Sequence, residues 1–208
     1  MNMPGVSSFK NLQPSQLINK LIQYLETELP NFTISEEFLR TPFNKRNEDQ
    51  YTYDLCSFLI GRSNSSFSFI PQARQKASYK VDIGVHFRGG VLIFTIEAKV
   101  LPNPKRNKGK DHQYVYGNGA GIQRYKDENH GIDLEDRLLS QNGMIGYVEN
   151  HDFNHWYSTI NQWVSDASWL EEEKLEIVSF DKIARLKSKH SRKGGSQVTL
   201  HHFWVQVI

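Results

Sequence analysis

The stretch from Lys80 to Lys99 restricts the fold of this chain more than any other part of the sequence. It holds two apolar, β-branched runs on either side of Gly89-Gly90. Such a glycine pair suits a two-residue hairpin turn, because both central residues of that turn can take positive φ. The turn would place four apolar pairs on one face: Val81–Ala98, Ile83–Ile96, Val85–Phe94 and Phe87–Leu92. A face of this composition belongs against a hydrophobic core, which supports the predicted register.

The other face of the same hairpin carries ionisable side chains. The register places Asp82 directly opposite Glu97, with Cβ atoms about 4.5–5.5 Å apart, and it places Lys99 on the same side. Two opposed carboxylates repel each other unless a cation neutralises them, and Mg²⁺ prefers oxygen ligands of this kind. The alternative is a surface hairpin with a solvated Glu–Lys pair. The near-continuous apolarity of 91–96 instead predicts a buried strand that ends at these charges.

The composition limits the classes of protein to which this chain can belong. Its 208 residues suffice for one domain with a sizeable core. The fractions of hydrophobic residues, 38%, and charged residues, 23%, are typical of a soluble globular protein. We expect neither a transmembrane helix nor a secretory signal. Cys56 is the only cysteine, which excludes an intramolecular disulfide and a cysteine zinc site and predicts a cytoplasmic location.

The order of the predicted elements indicates a mixed α/β or α+β domain built on a central sheet. Helices are predicted over 18–25 and over 47–60, where Asn47 would be the N-cap. The later elements are predicted strands over 66–72, 79–87, 91–101 and 143–149, helices over 122–128 and 153–164, and β-rich runs over 174–180 and 198–208 around a basic loop, 187–195. We expect one domain over 1–208, with a core at about 47–150 and a C-terminal extension at 151–208.

The hairpin also resembles the signature of PD-(D/E)XK nucleases, in which an Asp on one strand precedes Glu-x-Lys on the next. Here the two parts are Val81-Asp82 and Glu97-Ala98-Lys99, and Val81 replaces the proline that names the family. The resemblance covers 47–149. It implies a restriction-endonuclease-like αβββαβ core, in which helices flank a mixed central sheet, with an extra N-terminal helix and C-terminal strands.

The same resemblance implies a metal-dependent endonuclease that hydrolyses phosphodiester bonds, with DNA as the expected substrate and a prokaryotic restriction or defence setting. Mg²⁺ is the expected cofactor, with Mn²⁺ as a substitute. The expected metal ligands are Asp82, Glu97, the Ala98 carbonyl and Glu48. Asp49 competes with Glu48 for its position, and Lys99 would orient the nucleophilic water and stabilise the developing negative charge. A homodimer would suit cleavage of both strands, and no contact with a membrane is expected.

The segment after the basic loop supplies further candidates. Some nucleases of this family place a Gln and a Tyr on the helix that follows the Glu-x-Lys strand, and Gln123 and Tyr125 resemble that pair at a shorter spacing. Gln123 would then act in catalysis, and Arg124 would contact nucleic acid. An ordinary loop-to-helix junction is the alternative.

Two basic clusters are candidate phosphate contacts. A net charge of only +2 leaves phosphate binding to local patches or to a bound cation. The first cluster follows the predicted catalytic strand, where the nucleic-acid backbone would pass, and comprises Lys105, Arg106, Lys108 and Lys110. The second comprises Lys187, Lys189, His190, Arg192 and Lys193. A solvated surface is the alternative for each.

Other interpretations of the chain stay open at this point. His201-His202 lies in a predicted strand with its side chains on opposite faces, so we expect structural roles for both histidines. The protein as a whole could be a catalytically inactive nucleic-acid-binding or assembly module with the same fold, a phosphoesterase that acts on nucleotides, or a purely structural α/β protein. The joint presence of Asp82, Glu97 and Lys99 favours the nuclease.

Overall fold

The computed structural model describes residues 14–63, 66–75, 79–88, 90–102 and 111–208. The strands in these ranges are β1 (Phe67–Arg74), β2 (Lys80–Phe87), β3 (Val91–Leu101), β4 (Gln141–Val148), β5 (Glu176–Phe180), β6 (Ile183–Ser191) and β7 (Gln197–Gln206). The α-helices are α1 (Pro14–Glu28), α2 (Glu36–Leu39), α3 (Glu48–Arg62), α4 (Gly121–Lys126) and α5 (Phe153–Asp166). No helix in this part of the chain has the length and apolar character needed to cross a membrane.

One mixed sheet joins the seven described strands in the order β1-β2-β3-β4-β7-β6-β5. The first three strands form an antiparallel meander, β4 runs parallel to β3, and β7 runs parallel to β4. The edge formed by β6 and β5 is antiparallel. The short helix α4 lies on the connection from β3 to β4. The predicted mixed α/β architecture, a central sheet flanked by helices, is therefore confirmed.

Two hydrophobic cores cover the two faces of the sheet. The first packs α1 and α3 against the sheet, and its fully buried helix residues include Leu21, Leu25, Tyr51, Leu55 and Phe58. The second packs α4 and α5 against the opposite face, with Ile122, Tyr125, Ile160 and Val164 fully buried. The helix positions recur every three to four residues, which is why the sequence predicts them. At the start of α3, the side chain of Asn47 accepts the N–H of Gln50 at 2.8 Å, which confirms the predicted N-cap.

The hairpin of β2 and β3 differs from the prediction at its turn. β2 ends at Phe87, β3 begins at Val91, and these two residues pair. The loop therefore has three residues, so the predicted two-residue turn is wrong. Arg88 already takes a positive φ of 51°, whereas Gly89 lies outside the described residues. The left-handed conformation that the turn requires thus begins one residue before the glycine pair.

The predicted register holds for the inner pairs of the hairpin and fails beside the loop. The confirmed pairs are Ile83–Ile96 and Val85–Phe94. Next to these pairs the register shifts: His86 pairs with Leu92, and Ile93 has no pairing partner on β2. A β-bulge of this kind absorbs the extra residue of the loop. The predicted pair of Leu92 with Phe87 is therefore wrong.

A strand occupies most of the segment that the sequence predicts to be a basic loop. β6 pairs with β7 along its whole length, and it escapes prediction because its polar residues find partners inside the protein. Arg185 Nε donates to Glu26 at 2.6 Å, and its guanidinium lies 4.3 Å from the ring centroid of Phe203. His190 and Arg192 are buried. The second basic cluster is therefore not the continuous surface for phosphate contacts that the sequence suggests.

A chain of hydrogen bonds runs through the second core and joins β6 to β7. Trp204 Nε1 donates to the Tyr114 hydroxyl at 2.9 Å, and that hydroxyl lies 2.9 Å from Nδ1 of His202. Burial lowers the pKa of His202 well below its usual 6.5, so Tyr114 donates to a neutral ring. The proton of that ring then lies on Nε2, 2.7 Å from Ser188 Oγ, which lies 2.7 Å from Nε2 of His190. Each group thus contacts the next, and at the end of the chain Nδ1 of His190 lies 3.4 Å from Glu173 Oε1.

His201 points away from this chain, toward the first core. Its Nε2 donates to Gln141 Oε1 at 2.9 Å, and its ring lies 6.2 Å from that of Phe94. His201 and His202 therefore lie on opposite faces, each held by neighbouring core or strand residues. This arrangement agrees with the structural roles predicted for both.

Gly143→Ala is expected to destabilise the protein, because β4 lies at the centre of the sheet. A Cβ at this position would lie 2.7 Å from Cε1 of Phe94 and 3.0 Å from Cγ1 of Ile96, and close packing leaves these side chains little room to move. We expect a loss of about 1–3 kcal/mol in the free energy of unfolding, measured by urea denaturation.

Gly61→Ala, in α3, is the matched control for this substitution. Outside the helix backbone, the nearest atom to its Cβ would be Glu37 Oε1 at 3.9 Å, so the new methyl group meets no obstacle. A gain of about 0.5–1 kcal/mol is expected from helix propensity. Equal changes at the two positions would contradict the packing around β4.

Candidate functional site

One cavity of about 490 Å³ brings together five of the predicted site residues, namely Glu48, Asp82, Glu97, Lys99 and Arg124. It lies where the ends of β2 and β3 meet the start of α3 and the short helix α4. Its ionisable lining residues are Glu48, Asp49, Lys80, Asp82, Glu97, Lys99 and Arg124. We refer to it as the main cavity. Residues that are far apart in the sequence thus converge on one small volume with closely balanced charges.

Asp82 is held by the backbone of the neighbouring strand. Its Oδ2 accepts the N–H of Ala98 at 2.7 Å, and like Glu97 it lines the main cavity. Burial, followed by the nearby charge of Glu97, raises the pKa of Asp82 to about 7, although Lys99 opposes this shift. The predicted crowding of two carboxylates across the hairpin is therefore reflected in the electrostatics of the site.

Glu97 is the most deeply buried carboxylate of the group. Its Oε1 accepts hydrogen bonds from Lys99 Nζ at 2.9 Å and from Arg124 Nη1 at 2.6 Å. Its Oε2 is buried and accepts no hydrogen bond from the described residues. A buried oxygen of this kind is costly unless another group satisfies it. Glu97 thus has one oxygen bound to cations and one available acceptor.

The ammonium group of Lys99 lies among the oxygens that the sequence predicts to be metal ligands. It donates to the Ala98 carbonyl at 2.6 Å, to Glu97 Oε1 at 2.9 Å and to Glu48 Oε1 at 3.3 Å. Asp82 Oδ2 lies 4.0 Å away. Burial alone would lower the pKa of Lys99, but the charges of Glu97, Glu48 and Asp82 outweigh it and raise the pKa. Lys99 therefore neutralises the carboxylates in this structure.

Glu48 joins the group from the first turn of α3. Its Oε2 accepts the N–H of Val100 at 3.3 Å, and its Oε1 contacts Lys99. Burial raises the pKa of Glu48, and the charge of Asp82 adds to this effect. The sequence leaves Glu48 and Asp49 as competing candidates. The structure brings Glu48 into the group, whereas Asp49 only lines the cavity wall.

The helix α4 contributes Arg124 to the group and turns Gln123 away from it. Arg124 binds Glu97 directly, although the sequence predicts it as a nucleic-acid contact. Gln123 instead donates to Asp127 Oδ1 at 3.0 Å and does not line the main cavity. The hydroxyl of Tyr125 is buried between Thr95 and the carbonyl of Gly143. The predicted Gln–Tyr pair is thus not part of this constellation.

Sequence reasoning missed two buried residues behind Glu97. The N–H of Ile132 binds Gln75 Oε1 at 3.0 Å, which turns the amide nitrogen of Gln75 toward His130 Nδ1 at 3.3 Å. Burial, then the charges of Arg124 and Lys99, lower the pKa of His130 to about 3. The other ring nitrogen of His130, Nε2, lies 3.2 Å from Arg124 Nη1 and 3.4 Å from Glu97 Oε2.

No sequence signal pointed to this pair. Gln75 follows the last residue of β1, and His130 lies in an irregular segment after α4. Their polar side chains are typical of loops, and only the folding of both segments against β3 brings them behind Glu97. We regard them as positioning residues, since His130 lies against Glu97 Oε2 and Gln75 contacts the opposite ring nitrogen of His130.

The first basic cluster cannot be located. Lys105, Arg106, Lys108 and Lys110 lie outside the described residues. In the described part of the chain, the cations that line the main cavity are Lys80, Lys99 and Arg124. Of these, Lys80 has no ion pair with the described acidic residues, whereas the other two bind Glu97.

The donor set of the cavity fits a hard divalent cation. No group of three or more His, Cys, Asp or Glu side chains in the described ranges is already arranged to hold a metal ion. The ammonium of Lys99 occupies the space between the carboxylates instead. The available Oε2 of Glu97, the carboxylates of Asp82 and Glu48 and the Ala98 carbonyl are oxygen donors, which Mg²⁺ and Mn²⁺ prefer.

Comparison of the chain with protein-family models, with curated proteins and with solved structures finds no match. A functional assignment therefore depends on the chemistry of the main cavity. Three carboxylates lie within 4.0 Å of the Lys99 ammonium, and Arg124 donates to one of them, so the site can bind a cation and stabilise an anion next to it.

Proposed function

We propose that the protein is a metal-dependent nuclease that hydrolyses phosphodiester bonds, with DNA as its substrate. The observation that carries this proposal is the convergence of Asp82, Glu97 and Glu48 around Lys99, with Arg124 beside them. Hydrolysis of a phosphodiester needs a nucleophilic water and relief of the charge that builds on the phosphate oxygens. Carboxylates that hold a divalent cation, next to two fixed cations, meet both needs.

We also propose that α3, β1, β2, β3, α4 and β4 form a restriction-endonuclease-like core. Their order along the chain supports this proposal, since it is the αβββαβ order that the resemblance implies. The position of the carboxylates at the ends of β2 and β3, with Glu48 from the preceding helix, supports it as well.

Asp82, Glu97, Glu48 and the Ala98 carbonyl would hold the metal. A bound Mg²⁺ or Mn²⁺ supplies Lewis-acid polarisation of the phosphate and a more acidic water. The chain's own residues provide the rest. Lys99 would orient the attacking water and stabilise negative charge with the ammonium that lies next to Glu97 and Glu48. Arg124 donates to the phosphate with the guanidinium nitrogens that do not bind Glu97.

Cleavage assays test the proposal directly. The full-length protein is incubated with plasmid DNA, linear DNA and RNA, with Mg²⁺, with Mn²⁺ and with a chelator. We expect cleavage of DNA only when a metal is present, and no cleavage by Asp82→Asn, which keeps the volume of the side chain but loses its charge. Metal-independent cleavage, or full activity of Asp82→Asn, would sink the assignment.

A catalytically inactive nucleic-acid-binding module is the second candidate. One observation favours it. Lys99 already neutralises the carboxylates of the site, so their charge needs no metal ion to offset it. Binding of DNA in gel-shift assays, with no cleavage under any metal condition, would select this candidate over the nuclease.

Substitutions at Glu48 and Asp49 distinguish the two acidic residues at the start of α3. Glu48→Gln is expected to lower cleavage at limiting Mg²⁺ by about 10- to 100-fold, the range found when groups around a metal site are altered. The reason is that Glu48 contacts Lys99 and the backbone of Val100. Asp49→Asn is the matched control and should cleave like the unmodified protein. The reverse ranking would assign the role to Asp49.

A further inference from the structure

A second cavity of about 400 Å³ opens beside the main cavity. The two cavities share Lys80, Gly119 and Arg124 in their walls. We call the second one the side cavity; the wall residues used below are Tyr79, Gln123, Asp127 and Asn129. Its volume lies within the range of about 300–1,000 Å³ that is usual for small-molecule sites. A ligand in the main cavity can therefore extend into the side cavity past Lys80 and Arg124.

The charges that line the two cavities differ, so that the shared wall suits the phosphate of a nucleotide and the side cavity suits an uncharged part. The cations Lys80 and Arg124 lie on the shared wall, where a phosphate would be favoured. The part of the side cavity that is not shared with the main cavity is lined by amides, by His130 and by the carboxylate of Asp127. A carboxylate repels a second phosphate, so the group that enters the side cavity should be uncharged.

The same part of the side cavity offers the aromatic ring of Tyr79 and several side chains that can accept hydrogen bonds. The side chain of Tyr79 is 43% exposed, so its ring is accessible for stacking. Gln123 Nε2 donates to Asp127 Oδ1, which leaves Gln123 Oε1 and Asp127 Oδ2 as acceptors, and Asn129 adds an amide. Nucleobases have a flat π-face and a polar edge, and Asp accepts from exocyclic amino groups such as that of cytosine.

We propose that the side cavity binds a nucleobase with an exocyclic amino group, adjacent to the phosphate held at Lys80 and Arg124. The base stacks on Tyr79, and its amino group donates to Asp127 or Gln123. This inference rests on the proposed function, because it assumes a nucleic-acid substrate. It adds that the enzyme reads an unpaired base, since a base inside a duplex would first have to leave the stack.

The first experiment combines substitutions at Tyr79 with changes in the substrate. Single-stranded oligonucleotides carry one abasic residue, moved stepwise across the cleavage position, and kcat/KM is measured with Mg²⁺. Loss of one stacked base costs about 5- to 150-fold. We expect a loss of this size at one position of the abasic residue. Tyr79→Ala should show a similar loss on the intact substrate and no further loss on that abasic substrate, and Tyr79→Phe should behave like the unmodified protein.

Two results would overturn the inference. One is an abasic series with no sensitive position. The other is a Tyr79→Ala variant that loses the same factor on every substrate, which would mean that Tyr79 acts only on the protein structure.

The second experiment tests the polar edge. Oligonucleotides with cytosine or with thymine at the sensitive position are compared, since only cytosine has the amino group. A preference of about 10-fold for cytosine is expected, and Asp127→Asn should reduce it. Equal rates for the two bases in the unmodified protein would contradict recognition of the amino group.

Fluorescence anisotropy of the same oligonucleotides separates failure of this inference from failure of the proposed function. Binding without cleavage would contradict the proposed nuclease activity. The affinities for the intact and abasic oligonucleotides would then test the base-binding site separately. Absence of both binding and cleavage removes both proposals. Normal cleavage without any effect of Tyr79→Ala removes the base site alone.

Discussion

We expect Lys99→Met to abolish DNA cleavage and at the same time to increase the affinity of the protein for divalent cations. Lys99 donates to Glu97, Glu48 and the Ala98 carbonyl, so a cation must compete with its ammonium for these oxygens. Methionine has a similar length and no charge, and it leaves the carboxylates free for the metal. The rate of cleavage should fall by at least about 100-fold, the usual cost of removing one stabilising donor.

Two measurements check the gain in metal affinity. Titration calorimetry with Mn²⁺ should give a dissociation constant at least about 10-fold lower for Lys99→Met, equivalent to about 1.4 kcal/mol. Without metal, the variant should lose about 3 kcal/mol in the free energy of unfolding, because buried carboxylates are left without their partner. Added Mn²⁺ should restore this stability, since it binds only the folded state.

Lys80→Met is the matched control, because Lys80 lines the same cavity but has no ion pair with the described acidic residues. It should change neither the affinity for Mn²⁺ nor the stability by a comparable amount. If Lys99→Met bound metal no better than the unmodified protein, the carboxylates around Lys99 would not be the metal site.

The second large effect is expected in acid. Burial is the main cause that lowers the pKa values of His190, His201 and His202, and for His201 the value falls to about 4. Below pH 6.5 the unfolded chain binds protons at these histidines and the folded chain does not. The free energy of unfolding therefore falls as the pH falls below 6.5, by up to about 1.4 kcal/mol per pH unit for each histidine, and for His201 this fall continues to about pH 4.

Two carboxylates act in the opposite direction. Asp82, whose pKa is raised to about 7, and Glu48, whose pKa is also raised, take up protons in the folded state as the pH falls. Each of these carboxylates can offset the loss of stability that about one histidine causes. Burial also lowers the pKa values of His130 and His86 and raises those of Asp54 and Glu149. Because five histidines then oppose four carboxylates in the described part of the chain, we expect a net loss of stability, measured by urea denaturation at several pH values between 7.5 and 4.

Substitution of one histidine isolates its contribution. His201→Gln keeps a donor for Gln141, and it should reduce the dependence of stability on pH by about 1.4 kcal/mol per pH unit between 6.5 and 4. His151→Gln is the matched control, since His151 is exposed, and it should leave this dependence unchanged. If stability depended on pH to the same extent in the unmodified protein and in both variants, His201 would not be buried in its neutral form.

Several parts of the candidate site could be predicted because they depend on neighbours in the chain. The alternation of side chains along a strand placed Asp82 and Glu97 on one face, and both residues line the main cavity, where the charge of Glu97 helps to raise the pKa of Asp82. The N-cap at Asn47 needs only the next three residues. In both cases the relevant contacts are set by one hairpin or one helix turn.

Other parts depend on packing between distant segments and were wrong or missed. Periodicity could not distinguish Glu48 from Asp49, because both lie in the first turn of α3, and the rotation of that helix against β3 makes the choice. Nor could it show that Arg124, rather than Gln123, faces Glu97. Gln75 and His130 meet only after β1 and the segment behind α4 fold against the same strand.

The stretch from Lys80 to Lys99, taken by itself, determined a hairpin with one apolar face and a carboxylate pair with a lysine on the other. Tertiary structure decided what surrounds that trio. Burial against α3 and α4 raises the pKa of Asp82 and places Glu48, Arg124 and His130 around Glu97. The physical reason is that strand alternation has a short range, whereas the charge balance of a buried site depends on every segment that packs against it.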